Sequence, residues 1–167
     1  FMKEEATIPT SLEWPIKDRA SWEKLKAERL NLDNIADRFP ENWPELVKEY
    51  NNRDYPLAIG GYPHGFFGTL AHLIGYENLF IWYCMEPDLI HDILETFTSI
   101  WLAVFEEVIS QVEIDHWQIW EDISFGKGSM IPLDMVQEFM SPYIKRIAGF
   151  MKSKGVKIVL LDTDGDC

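Results

Sequence analysis

The chain has 167 residues, enough for one domain with a sizeable core, and its 7 Trp and 10 Phe within 47% hydrophobic residues exclude a disordered chain. A net charge of −13 argues against a nucleic-acid backbone or an anionic membrane surface as partner. Cys84 and Cys167 make no disulfide framework, FMKEEAT is no signal peptide, and no apolar stretch reaches the roughly 18 residues of a membrane span, so a cytoplasmic protein is expected.

In chain order, SLEWPIKDRASWEKLKAERLN gives an extended piece up to Pro15 and then a helix. Ser21 is its expected N-cap, with Trp22, Leu25 and Leu30 on one side. PENWPELVKEYNNRD is a second, short helix with Pro at its start and an Asn pair at its end. In YPLAIGGYPHG the period changes: Leu57 to Ile59 forms a short strand that breaks into a Gly-rich loop. FFGTLAHLIGYENLFIWYCMEP is helical with a break near Gly75, and Cys84 within it reads as a small core hydrophobe.

The clearest helix runs from Pro87 to Gln111, where Ile90, Ile93, Leu94, Phe97, Ile100 and Trp101 recur at three- and four-residue spacing. IDHWQIWEDISFGKG is a strand that ends at Glu121 and Asp122 and passes into a loop. MIPLDMVQEFMSPYIKRIAGFMKSKGV is a helix with Gly155 as its C-cap and a kink or break at Pro142. KIVLL, with Ile158 to Leu161, reads as a buried core strand that delivers Asp162, Asp164 and Asp166 at its end. Both ends look cut, since Phe1 precedes Met2 and the chain stops one step past this strand, so a fragment of something longer is expected.

The order is strand, helices, strand, helix, strand, with no hairpin signal between strands. That spacing implies an α/β fold of parallel strands joined by helical crossovers, either a doubly wound sheet or part of an eight-stranded barrel. Parallel strands put their C-terminal ends on one face, where such folds build their sites. His64, Glu121, Asp122, Asp162 and Asp164 would converge there. Clustered carboxylates raise one another's pKa or bind a cation that offsets their repulsion. Any one of them, taken singly, also suits a helix or turn cap. His72 and His91 lie in helical runs as packing or surface residues, and His116 begins a strand at its structural end.

WEDISFGKGSMIPLDMVQEFMSPYIKRIAGFMKSKGVKIVLLDTDGD resembles the uroporphyrinogen decarboxylase (URO-D) family, which includes the decarboxylase of haem synthesis and the corrinoid and coenzyme M methyltransferases. The resemblance rests on an acidic strand end before a glycine-containing loop, on a helix carrying Phe139, Pro142, Tyr143 and Arg146, and on a strand after Gly-Val. PLAIGGYPHGFFGTLAHLIGYENL is similar to the family's earlier Gly-rich strand end and the helix after it. The resemblance implies that residues 1–167 form one partial TIM (β/α)8 barrel domain, about half of it, with N- and C-terminal portions missing.

It further implies an enzyme that acts by methyl transfer on a small or corrinoid-linked substrate at the strand ends. Glu121, Asp122, Asp162 and Asp164 are the expected catalytic residues, and His64 and Tyr62 the expected substrate-binding ones. The methyltransferases' zinc-binding His-x-Cys-Gly is replaced here by Asp162-Thr-Asp164-Gly165, so Asp162 and Asp164 suit a metal of oxygen preference if any. The alternatives are uroporphyrinogen decarboxylation of a tetrapyrrole substrate, which uses no cofactor, and a non-catalytic ligand-binding barrel. Against decarboxylation, GTLAHLIG lacks the decarboxylase's Tyr and Asp122 stands where it has Ser, while the basic residues a polycarboxylate substrate needs would lie in the missing N-terminal portion, so their absence here decides nothing. The resemblance also implies a homodimer, while the charge argues against a nucleic-acid or membrane partner.

Overall fold

The computed structural model describes residues 13–126 and 128–165. Its first helix, α1 (Arg19–Arg29), is capped by Asp18 rather than Ser21. The Asp18 carboxylate accepts from the Ser21 N–H at 2.8 Å while the Ser21 hydroxyl accepts from the Asp18 N–H at 2.9 Å. Two good capping residues three apart form this reciprocal box, and the earlier one becomes the cap. Trp22 is buried, and its indole N–H donates to Asp92 at 2.6 Å. A turn of 3-10 helix, Leu32–Arg38, and helix α2 (Trp43–Asn51) lead to the first strand, β1 (Ala58–Gly60).

Helices α3 (Phe66–Ile74) and α4 (Tyr76–Met85) meet at Gly75, whose φ of +83° only glycine adopts freely. Leu79 and Tyr83 bury one side of α4, and Cys84 turns outward. Cys84 is therefore an exposed thiol and not a core residue, because the apolar run covers more of the helix circumference than the core takes in. Helix α5 (Pro87–Gln111) has the bounds its periodicity implies, and packs against α1, α4 and the later helices.

Strand β2 (His116–Trp120) alternates, with Trp117 and Ile119 fully buried between half-buried neighbours. Past it, β3 (Ser124–Phe125) and β4 (Gly128–Ser129) pair antiparallel, a hairpin where the sequence suggests only a loop. Gly126 at φ +63° allows the reversal, and strands of two residues are too short to give a periodic signal.

Helix α6 (Leu133–Met135) continues through a π turn at Val136–Met140 into α7 (Ser141–Ser153). The Ser141 N–H reaches back five residues to the Val136 carbonyl, so the break falls one residue before Pro142. That widened turn accommodates a residue with no N–H to give. At the other end of α7 the Gly155 N–H bonds the Lys152 carbonyl at 3.1 Å and the Val156 N–H bonds the Met151 carbonyl at 3.0 Å. This is a Schellman closure built on Gly155 at φ +90°. Gly155→Ala should cost about 1 kcal/mol in a urea melt without altering any activity, because open space surrounds the site and only the backbone is strained.

Strand β5 (Ile158–Asp162) completes a parallel sheet in the order β1-β2-β5, with Ile59 beside Trp117 and Trp117 beside Val159. Helices α3 to α5 cross from β1 to β2, and α6 with α7 from β2 to β5. The expectation of a buried β5 is overturned: Ile158 to Leu161 are each 45 to 54% exposed. A continuous apolar strand is suited to cover on both faces, yet among the described residues its sheet partner is β2 alone. Among the described residues no helix is long and apolar enough to cross a membrane.

Candidate active site at the strand ends

The register of the sheet brings three chain segments together beyond the C-terminal strand ends. The Trp120 N–H donates to the His64 carbonyl at 2.8 Å, and the Glu121 N–H donates to the Asp162 carbonyl at 2.7 Å. These bonds extend the ladder past β1 and β2, so the loop after β1, the pair Glu121-Asp122 and the segment Asp162–Asp164 sit side by side. Gly65 closes the loop after β1 against the Trp120 backbone, with no room for a Cβ.

Glu121 turns away from this face. Its side chain is fully buried and accepts from the Phe66 and Phe67 N–H groups, at 2.5 and 3.0 Å, at the start of α3. Gly65, the residue before α3, has no side chain to cap with, so Glu121 supplies the acceptor and places a carboxylate at the positive end of the helix. Burial pushes its pKa up to about 7, against the pull of the same N–H groups. Glu121 is thereby a positioning residue that fixes α3 to the end of β2.

Asp122, Asp162 and Asp164 form the acidic part of the face. Asp122 is half-buried; its pKa is raised by burial and then by the charges of Asp164 and Asp162. Asp162 and Asp164 are exposed, and Gly165 turns the chain after them against Ser124 of the hairpin. Asp166 lies outside the described residues. Among the described residues no three or more His, Cys, Asp or Glu side chains are grouped to hold a metal ion. Asp162 and Asp164 offer two carboxylates, hard oxygen ligands that a soft zinc–thiolate centre does not fit.

Tyr62 stands at the rim, 69% exposed, its ring edge-on to Trp120 at 5.0 Å and to His72 at 5.7 Å. His72 stacks on Trp120 at 5.5 Å. This aromatic group adjoins Asp122 along the chain, and the sequence pointed only to Tyr62. The alternation of HWQIWED, which puts Trp120 and Asp122 on the same side of β2, was the available signal. Nothing local marks His72, which joins through tertiary packing.

His64 is brought to the strand ends by its backbone, while its side chain goes elsewhere. The ring is 7% exposed, and its Nε2 accepts from the Trp117 indole at 2.8 Å. Burial pushes its pKa down to about 4, so it is neutral. It belongs with Trp117 on the helix-covered side of the sheet and is not gathered with the carboxylates. His91 hydrogen-bonds Tyr143 at 2.9 Å and stacks on Phe139, as a packing residue does.

A family model described as uroporphyrinogen decarboxylase (URO-D) matches residues 2–162 of the chain. No curated protein and no solved structure gives a significant match.

Proposed function

From the premise that the chain belongs to the uroporphyrinogen decarboxylase family, a family of TIM barrels of which the three parallel strands and their helices form part, we propose that it acts in methyl transfer at the C-terminal strand ends. The substrate is a small or corrinoid-linked molecule. Asp122 carries the proton, and Asp162 and Asp164 hold it there by their charge. The observation that supports this most is the raised pKa of Asp122, caused by burial and by those two neighbours. Such a group keeps a proton further up the pH range than an ordinary aspartate and can pass it to a leaving group.

In the step, the bond from the methyl carbon to the donor heteroatom breaks with its electron pair left on the heteroatom. That atom takes the proton from Asp122, and the methyl carbon bonds to the nucleophilic acceptor, a corrinoid or a thiolate. Asp122 ends as a carboxylate and is reprotonated from solvent. Tyr62, exposed beside Trp120, lies where a substrate would be covered. An acidic face suits such a substrate better than it suits a polycarboxylate porphyrinogen, which like charges would repel.

The test incubates the protein with methanol or trimethylamine as donor and cob(I)alamin as acceptor, and separately with uroporphyrinogen III. Methyl transfer is expected, falling by about a hundredfold or more in Asp122→Asn while the circular dichroism spectrum is kept. Product from uroporphyrinogen alone would replace this reading by decarboxylation. Turnover of neither would leave a barrel that binds without catalysis.

A further inference from the structure

The parallel register lays out one side of the sheet in rows. Gly60 pairs with Gln118 and Gln118 with Leu160, and one row further on Trp120 pairs with Asp162. Residues in register on neighbouring strands, about 4.8 Å apart, share a side, as do alternate residues along one strand. Trp120, Asp122 and Asp162 therefore lie on the same side, and Asp164 is near enough for its charge to act on Asp122. The loop after β1 adds Tyr62 at the other flank of Trp120. Its ring stands 5.0 Å from that of Trp120, at 82° to it, and is 69% exposed. Across the strand ends the order is thus an open aromatic ring, a second ring, and carboxylates.

Among the described residues none of Asp122, Asp162 and Asp164 forms an ion pair. Nor are three acidic, His or Cys side chains grouped to hold a metal ion among them. A small hard cation needs such closely set oxygen ligands. An organic cation does not, because its charge is spread over a wider surface and is drawn both by nearby carboxylates and by the π faces of aromatic rings. A primary ammonium group has three N–H donors to satisfy, which rings do poorly. A quaternary one has none, and its methyl surface suits Tyr62 and Trp120.

We infer that this site binds a quaternary methylammonium compound, its methylated nitrogen lying against Tyr62 and Trp120 with Asp162 and Asp164 supplying the opposite charge. The inference rests on the methyl-transfer reading for its chemistry, in which this compound is the methyl donor. The N–CH3 bond breaks with its electron pair left on nitrogen, and the methyl carbon bonds to the corrinoid or thiolate acceptor. The tertiary amine released then takes the proton of Asp122.

The experiment measures, by calorimetry, the binding of choline and of 3,3-dimethylbutanol, which has carbon in place of the charged nitrogen. Methyl transfer to cob(I)alamin is followed separately, from choline and from methanol. Choline should bind about tenfold more tightly than the uncharged alcohol. Tyr62→Leu and Asp162→Asn, both at exposed side chains, should each cut that preference by about threefold. Equal affinities in the wild type, no binding of choline, or a preference that neither substitution reduces would overturn the inference. Methyl transfer from methanol with no preference for choline would overturn it too, and would leave the methyl-transfer reading standing. Preferential binding of choline that both substitutions weaken, with no transfer from either donor, would uphold the cation site and overturn the methyl-transfer reading.

Discussion

Gly65→Ala should leave little folded protein, with a loss of about 4 kcal/mol or more wherever a folded fraction can be measured by urea or thermal melting. The backbone at Gly65 is extended, at φ −169°, and strains no residue, so the whole cost is contact. A Cβ there would overlap the Trp120 carbonyl oxygen, come within 2.8 Å of its carbon and reach the Glu121 carboxyl carbon at 3.4 Å. The overlap is with backbone, which cannot swing aside as a flexible side chain can. Relief requires opening the Trp120 N–H to His64 carbonyl bond, which joins the end of β2 to the loop after β1. Gly149→Ala is the matched control: it sits on the open side of α7 with nothing within 4 Å, and should be stabilising by up to about 1 kcal/mol. A Gly65→Ala protein that melts like the wild type would mean that the loop after β1 does not close on Trp120 as described.

Replacing Glu121 should have the next largest effect, and its sign depends on pH. Glu121→Ala leaves the Phe66 and Phe67 N–H groups without an acceptor in a buried place, which should cost about 3 kcal/mol near pH 5. Burial raises the Glu121 pKa from 4.5 to about 7 in the folded state. The folded protein therefore holds a proton that the unfolded chain has released between those values. Its contribution is fully present below the unfolded value and is lost as pH rises through the folded one, by roughly 3 kcal/mol in all. Glu121→Gln cannot ionise and keeps one oxygen for the α3 N–H groups. The stability difference between wild type and Glu121→Gln should shift in favour of the variant from pH 5 to pH 8. Because other carboxylates titrate in both proteins, only this difference is diagnostic. A difference independent of pH would show that Glu121 is not buried at the start of α3.

Much of the fold was legible because its helices are long and periodic. The α5 bounds follow from apolar residues at three- and four-residue spacing over 25 residues, and Gly155 closes α7 as its position suggests. The parallel order of β1, β2 and β5 followed from the helical lengths between them. What escaped was set by tertiary contact or by very short elements. Ser21 and Asp18 are both good caps, and only the geometry of the box ranks them. Cys84 and the residues of β5 belong to apolar runs, which say that cover is favourable but not which side receives it.

At the site, the convergence of the strand ends was readable and the division of labour among the acids was not. Trp117, Ile119 and Glu121 fall at alternate positions, so the period of the strand already put Glu121 on the buried side and Asp122 on the open one. His64 is the opposite case. Its backbone belongs to the strand ends, yet a tight Gly-rich loop can direct the side chain either way, and packing under Trp101 and Phe105 decides.

The strand-end site stands or falls on whether Asp122, Asp162 and Asp164 act on one another. The measurement that tests this most directly is the carboxyl carbon-13 titration of Asp122 in the wild type, in Asp164→Asn and in Asp162→Asn. A converged site gives a wild-type midpoint above the ordinary aspartate value of 3.8, lowered in both variants and further in Asp164→Asn, with the rest of the elevation left by burial. An ordinary midpoint in the wild type, or one that neither substitution moves, would contradict it.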